Sequence, residues 1–330
     1  MKYVFIIIIL FYTMNLCSDQ QIDETIMNNM EYQHNISPSF SAKLINSTMG
    51  FFGFKKKMEK KMMNSKFAQN PAKLPKSLLK NYNVQLIEQN GKNVWTISPK
   101  DSISDVLILY LHGGAYMANI SKQHWDIIEQ LLIKTKATII IPDYPLAPNS
   151  TYIETYNFIC QLYTKLLSDY PTKSIVFIGD SAGSGLALGF AQKLRNENKK
   201  LPNEIILFSP WLDVTMTNPY IQNLEKKDKL LTVAGLKSAG QKYAGISDPK
   251  DYKISPLYGD FSGMCRISIF IGTNDILYAD ALKCKQKMKE QNLGYNFFEY
   301  PEMFHDWIIF TSLDESKDAI DKVSDILNDK

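Results

Sequence analysis

IVFIGDSAGSGLALGF (residues 175–190) runs from an unbroken apolar stretch into a cluster of glycines and small polar residues, then into a helical pattern. Within it, Gly179-Asp180-Ser181-Ala182-Gly183 fits G-x-S-x-G between a strand and a helix, the context that motif requires. A serine on so sharp a turn has a strained backbone, and side chains two residues before and after it would collide, so both flanks must be glycine. The hydroxyl then stands at the carboxyl end of a sheet, with the positive end of the following helix behind it. A phosphate cradle, the other use of such glycines, fails on register. Gly183 and Gly185 match the start of G-x-G-x-x-G, but Leu188 takes the third position. No acidic residue closes the following strand to hold a ribose, and the Lys and Ser/Thr of a Walker loop are missing. Gly185 and Gly189 read as close-packing positions between helix and sheet.

Working outward, the same alternation recurs from about residue 82. YNVQLIEQNGKNVWTIS gives two strands around Asn90-Gly91, a hairpin signal. Short apolar runs follow at 106–111, 137–141, 174–178, 204–208, 267–271 and 295–300, as expected of strands buried on both faces. Helical periods at 121–135, 151–169, 276–291 and 314–328 separate most of them, and Ser312-x-x-Glu315 reads as a capping box for the last. The expected fold class is α/β, a mostly parallel central sheet with helices on both faces. Residues 18–81 and 212–260 break the pattern and read as additions on a core spanning 82–330.

The partners of Ser181 follow from chemistry and chain order. His112-Gly113-Gly114 ends the strand at 106–111, where glycines let backbone N–H groups turn toward a developing oxyanion; Gly113, Gly114 and Ala182 are the expected donors. Of four histidines, His34 lies in the extension, His112 in this loop, and His124 early in a helix, where a surface role is expected. His305, in PEMFHDW after the last strand, is the expected base. Asp275 comes first after the strand at 267–271 and is preferred as the acid over Asp280, which is expected to face solvent or the first helical turn. Tyr116 and Trp211 are candidates for the substrate pocket, with ordinary core packing the equal alternative.

These motifs, together with DYPLAP (143–148), SPWLD (209–213), SPLYGDFSG (255–263) and GTNDILYADA (272–281), resemble those of the hormone-sensitive-lipase-like group of α/β-hydrolases. The resemblance runs from about residue 82 to the end. It implies a cofactor-free carboxylesterase or acetyl-esterase with a Ser181-His305-Asp275 triad, a short- to medium-acyl ester substrate, and a lid built from the N-terminal segment and the 212–260 insert. Three positions depart from the family pattern: Ala115 replaces the third glycine of the oxyanion loop, Pro145 an arginine, and Ser184 a glycine. Two other readings of the same fold stay open at this stage, a non-catalytic ligand-binding protein and a peptidase.

Composition narrows the partners. The 330 residues carry a net charge of +3, and only Arg195 and Arg266 among the basic residues are arginine, which disfavours nucleic acid. No metal or cofactor is expected, and the oligomeric state is undetermined. Residues 1–17 have a positive start and an apolar run too short to span a bilayer, so a signal peptide is expected, and with it secretion or an endomembrane lumen; an uncleaved anchor is the alternative. Sequons stand at Asn35, Asn46, Asn119 and Asn149. Of the cysteines beyond the signal, Cys160 and Cys284 are expected as buried thiols, with a Cys265–Cys284 bridge left open. FFGFKKKMEKKMM (51–63) has two readings, peripheral membrane contact or a helix packed on the core. The second is favoured because Lys55 to Lys57 interrupt an apolar face.

Overall fold

The computed structural model describes residues 29–68 and 70–328; the signal-like segment 1–17 lies outside them. Nine strands are described: β1 (Met30–Gln33), β2 (Tyr82–Gln89), β3 (Lys92–Pro99), β4 (Val106–Leu111), β5 (Thr138–Pro142), β6 (Ser174–Asp180), β7 (Glu204–Phe208), β8 (Arg266–Gly272) and β9 (Tyr295–Tyr300). They form one sheet in the order β1-β9-β8-β7-β6-β4-β5-β3-β2. The β2–β3 hairpin turns at Asn90 and Gly91, both with positive φ, and β2–β3 and β3–β5 are the antiparallel pairs. The other neighbours run parallel.

The apolar runs become central strands because every residue of β4, β5 and β7 is buried. Alternate side chains feed two cores. Leu107, Leu109, Phe177, Leu207 and Ile269 face α5 (Tyr152–Asp169), α6 (Ser181–Asn196) and α9 (Tyr278–Glu290). Ile108, Tyr110, Val176, Phe208 and Phe270 face α4 (Lys122–Thr135) and α10 (Asp314–Asn328). Capping boxes start α4 at Ser121/His124 and α5 at Thr151/Glu154. The box expected at Ser312 does not form: the Glu315 carboxylate accepts instead from the N–H and hydroxyl of Ser39, at 2.6 and 3.1 Å. That contact ties the N-terminal segment to the last helix.

The N-terminal segment contributes edge strand β1 beside β9, then α1 (Phe40–Phe51), α2 (Phe54–Asn64) and α3 (Lys76–Asn81). The 212–260 insert contributes α7 (Ile221–Glu225) and α8 (Val233–Ala244). Gly235 of α8 lets α2 approach closely, since a Cβ there would meet Met62 Sδ and Glu59 Cα. Lys242 donates to the terminal carbonyls of Met62 and Met63 at 2.6 and 2.7 Å, and Lys55 donates to the carbonyls of Glu225 and Asp228. Strand order reverses between β4 and β6, so a crevice opens at their carboxyl ends, where open α/β sheets bind ligands. Cys160 and Cys284 are free thiols, so the Cys265–Cys284 bridge is not made; Cys284 is buried and Cys160 half-buried.

Candidate active site

Ser181 ends β6 and begins α6 with φ of 49°, the left-handed backbone expected of a nucleophile turn. A Cβ on Gly183 would overlap the carbonyl oxygens of Leu111 and His112 at the end of β4. The Trp211 N–H donates to the Ser181 carbonyl at 3.0 Å and holds the strained turn from the β7 side. The Ser184 hydroxyl lies 2.6 Å from the Gly179 carbonyl and 3.0 Å from that of Phe208, so this departure adds a buried anchor to the elbow.

Ser181 Oγ lies 2.9 Å from His305 Nε2, and His305 Nδ1 lies 2.9 Å from Asp275 Oδ2. All three are buried. With Nδ1–H donated to the carboxylate, the Nε2 lone pair faces the serine hydroxyl. Burial pushes the His305 imidazole down, but the carboxylates of Asp275 and Asp306 push harder, and the net direction is well upward. Asp228 backs the acid: its carboxylate accepts from the N–H groups of Leu230, Leu231 and Ile276 at 2.7 to 3.0 Å. Burial and the nearby Asp275 charge raise its titration. One side chain thus joins the insert to the loop bearing Asp275.

The oxyanion loop corrects one expectation. The Gly113 N–H is already donated, at 2.9 Å, to Asp180 Oδ2, so it is not offered to a substrate. Asp180 is fully buried and also accepts from Tyr110 OH at 2.7 Å and from His124 Nε2 at 3.1 Å. Burial alone would raise this carboxyl; His124, Tyr110 and His112 outweigh it and hold it below the usual range. Gly114 and Ala115 follow with φ of 116° and 55°. Their N–H groups meet no backbone acceptor among the described residues, and both residues line the cavity at Ser181. Ala182 lies in the first turn of α6, where N–H groups lack intrahelical acceptors. The donor set the geometry offers is therefore Gly114, Ala115 and Ala182, and the Ala115 departure still presents its N–H.

Other expectations are also revised. His124 is buried rather than on the surface: its Nδ1 accepts from the Ser121 N–H at 2.9 Å, which leaves Nε2–H to donate to Asp180. Asp280 does sit in the first turn of α9, but it is buried, and its carboxyl is pushed up to about 6 by burial. Asn218 donates to its Oδ1, while Oδ2 has no partner among the described residues. His112 stacks on Tyr144, ring centres 4.4 Å apart, and burial pushes it down to about 3. Tyr116 and Trp211 do not line the cavity at Ser181; they stack on each other, and Tyr116 stacks on Tyr243 at 3.7 Å, as core aromatics.

That cavity measures about 120 Å³ and is lined, besides Ser181 and His305, by Met58, Met62 and Phe67 from the N-terminal segment and Leu230, Leu231 and Leu236 from the insert. It also contains a residue the sequence did not single out. Asp306 has left-handed φ of 54° and its N–H donates to Ser209 Oγ at 3.1 Å. Its Oδ2 lies 3.1 Å from His305 Nε2, while its buried Oδ1 has no partner among the described residues. Burial pushes its carboxyl up to about 6, against the pull of His305. The adjacency to His305 was the available signal.

The α/β-hydrolase fold family matches residues 108–309. An esterase of Acinetobacter venetianus is 31% identical over 223 residues, 66% of this chain and 73% of the relative. An acetyl-hydrolase of Streptomyces hygroscopicus is 30% identical over 201 residues, 61% of this chain and 67% of the relative. The crystal structure of a bacterial hormone-sensitive-lipase-family esterase, 22% identical, superposes with a TM-score of 0.75 over 89% of this chain and 99% of that one, which speaks for the fold alone. The chain belongs to the α/β-hydrolase family. Within it, it stands with the esterases and acetyl-hydrolases, carboxylic-ester hydrolases.

Proposed function

We propose that the chain hydrolyses carboxylic esters of short acyl groups through an acyl-enzyme on Ser181. The observation that carries this reading is the unbroken row Asp275–His305–Ser181, with contacts of 2.9 and 2.9 Å, opening on an apolar cavity. His305 Nε2 takes the Ser181 proton as Oγ attacks the ester carbonyl. Asp275 holds the imidazole tautomer and stabilises the imidazolium. The N–H groups of Gly114, Ala115 and Ala182 bind the oxyanion. As the tetrahedral adduct collapses, His305 returns the proton to the leaving alkoxide. Water, deprotonated by His305, then attacks the acyl-serine, and the carboxylic acid leaves as Ser181 regains its proton.

The cavity supports the short-acyl reading. Its volume of about 120 Å³ is well below the roughly 300–1,000 Å³ of pockets that hold drug-sized ligands. Wild-type protein and Ser181→Ala, assayed on nitrophenyl esters from acetyl to long chain, test both parts. Turnover falling with chain length and abolished by the substitution is expected; undiminished turnover by Ser181→Ala would refute the mechanism, and preference for long chains would refute the acyl assignment.

The signal-like start supports work in the secretory pathway or outside the cell. Asn35 and Asn149 are exposed, whereas Asn119 is buried with its Nδ2 donated to Asp143 at 2.6 Å. Glycosidase-sensitive mass at Asn35 or Asn149, and none at Asn119, is the expected pattern in a eukaryotic secretory host.

A further inference from the structure

Helix α1 is apolar on two opposite sides. Ala42 and Met49 are buried against the body of the protein. Phe40, Leu44 and Phe51, spaced i, i+4 and i+11, form one outward stripe at 3.6 residues per turn, and are 80%, 55% and 86% exposed. Phe52 and Phe54 extend it across the turn at Gly53, 55% and 41% exposed, and the Phe51 and Phe52 rings meet edge-on at 5.2 Å. Exposed apolar side chains are ordinary when scattered singly; a contiguous group marks an interaction surface.

The charge beside the stripe is one-sided. Lys56, Lys57, Lys60 and Lys61 are exposed on α2, and its one acid, Glu59, is half-buried. Lys55 is turned inward to the insert, and Lys57 Nζ sits 5.5 Å from the Phe54 ring centre. The lysines that interrupt the apolar pattern in sequence thus belong to a second helix, begun after Gly53, and leave the α1 stripe intact. The inner face of α2 places Met58 and Met62 in the cavity at Ser181.

We propose that α1 and α2 form a docking surface for an anionic lipid bilayer: the Phe40/Leu44/Phe51 stripe enters the boundary between headgroups and acyl chains, and the α2 lysines pair with acidic headgroups. Aromatic and leucine side chains beside a lysine-rich face are what such an interface takes. A two-fold pairing of this patch with a second copy would bring the four lysines of each chain together, a like-charge contact. No helix among the described residues is long and apolar enough to cross a membrane, so this contact lies along the surface. It sets the helix that lines the cavity directly against the lipid.

Sedimentation of the purified full chain with sucrose-loaded phosphatidylcholine vesicles, with and without phosphatidylserine, tests the assignment. Binding should require phosphatidylserine and weaken with salt. Each α2 lysine should contribute roughly fivefold to the partition coefficient, so Lys56→Glu/Lys57→Glu/Lys60→Glu/Lys61→Glu should lose more than a hundredfold, and Phe40→Ser/Phe51→Ser should release the protein even from acidic vesicles. All six side chains are exposed, so melting and turnover of a soluble ester should match wild type. Binding indifferent to phosphatidylserine, or unchanged in both variants, would overturn the proposal. So would a dimer that Phe40→Ser/Phe51→Ser dissociates in a protein that binds no vesicles, which would assign the stripe to a second copy.

Discussion

Replacing Asp306 with Asn removes a charge from the far side of the imidazole while keeping the side chain's shape. Its Oδ2 lies 3.1 Å from His305 Nε2, the nitrogen 2.9 Å from Ser181 Oγ and, in the proposed mechanism, the acceptor of its proton. A unit charge there interacts at 332/(ε·r), about 5 kcal/mol for an effective ε of about 20; that is a ceiling, and an opposite charge in contact moves a titration by about one to three pH units. The sign follows from the chemistry. Asp306 favours the imidazolium, and an imidazolium cannot act as base, so activity rises as pH climbs through the His305 titration. Without the Asp306 charge that rise should come about one to three pH units lower. Asp275 on Nδ1, Asp228 behind it and Asp180 beyond Asp306 remain, so the limb reports an interacting group rather than one residue. The assay is kcat/KM for a soluble acetyl ester against pH, which reports the free enzyme. A limb that stays in place or moves upward would refute this account of Asp306.

Three further outcomes follow from buried groups. Asp180→Asn keeps one acceptor oxygen for three donors, so at least one of Tyr110, Gly113 and His124 loses its partner; a loss of about 3 kcal/mol in denaturant unfolding and a fall in kcat with KM little changed are expected, and unchanged kcat would argue against its hold on the oxyanion loop. Asp280→Asn should stabilise above pH 6: the carboxyl rises from 3.8 unfolded to about 6 folded, so folding loses ~3 kcal/mol at most as pH climbs through that window. Melting should therefore be a few degrees higher for the variant at pH 8 and equal to wild type near pH 3. Met62→Ala enlarges the cavity from the α2 side, and the preference for hexanoyl over acetyl esters should rise about tenfold; an unchanged chain-length profile would place the acyl chain elsewhere.

What the sequence reveals, and what it hides, divides by the range of the interactions. Strands β4, β7 and β9 match their apolar runs in full because burial on both faces leaves an unbroken pattern. The elbow is legible because its motif is local and a Cβ on Gly179 would meet the Gly183 backbone four residues on, whereas the carbonyls of Leu111 and His112 that close in on Gly183 come from β4 and are not legible. The placement of His305 and Asp275 beside Ser181 follows from topology, which carries every βα loop of the parallel strands to one edge. The commitment of the Gly113 N–H is not legible, since it depends on a buried carboxylate 67 residues away. The same carboxylate draws His124 out of its expected surface role. Glu315 is taken by Ser39, a partner no local capping pattern could reveal. The cavity walls come from Met58, Met62 and the 230–236 segment, two regions without strand periodicity that meet only through tertiary packing. The four-residue strand β1 is too short to show a period at all.

The most direct test of the central claim is the covalent intermediate itself. Rapid quenching of the protein with a short acyl nitrophenyl ester, followed by peptide mass analysis, should show the acyl mass on the peptide carrying Ser181 at the burst phase, decaying at the steady-state rate and absent in Ser181→Ala. Ester turnover without acylation of that peptide, or with the acyl group on another residue, would contradict the account.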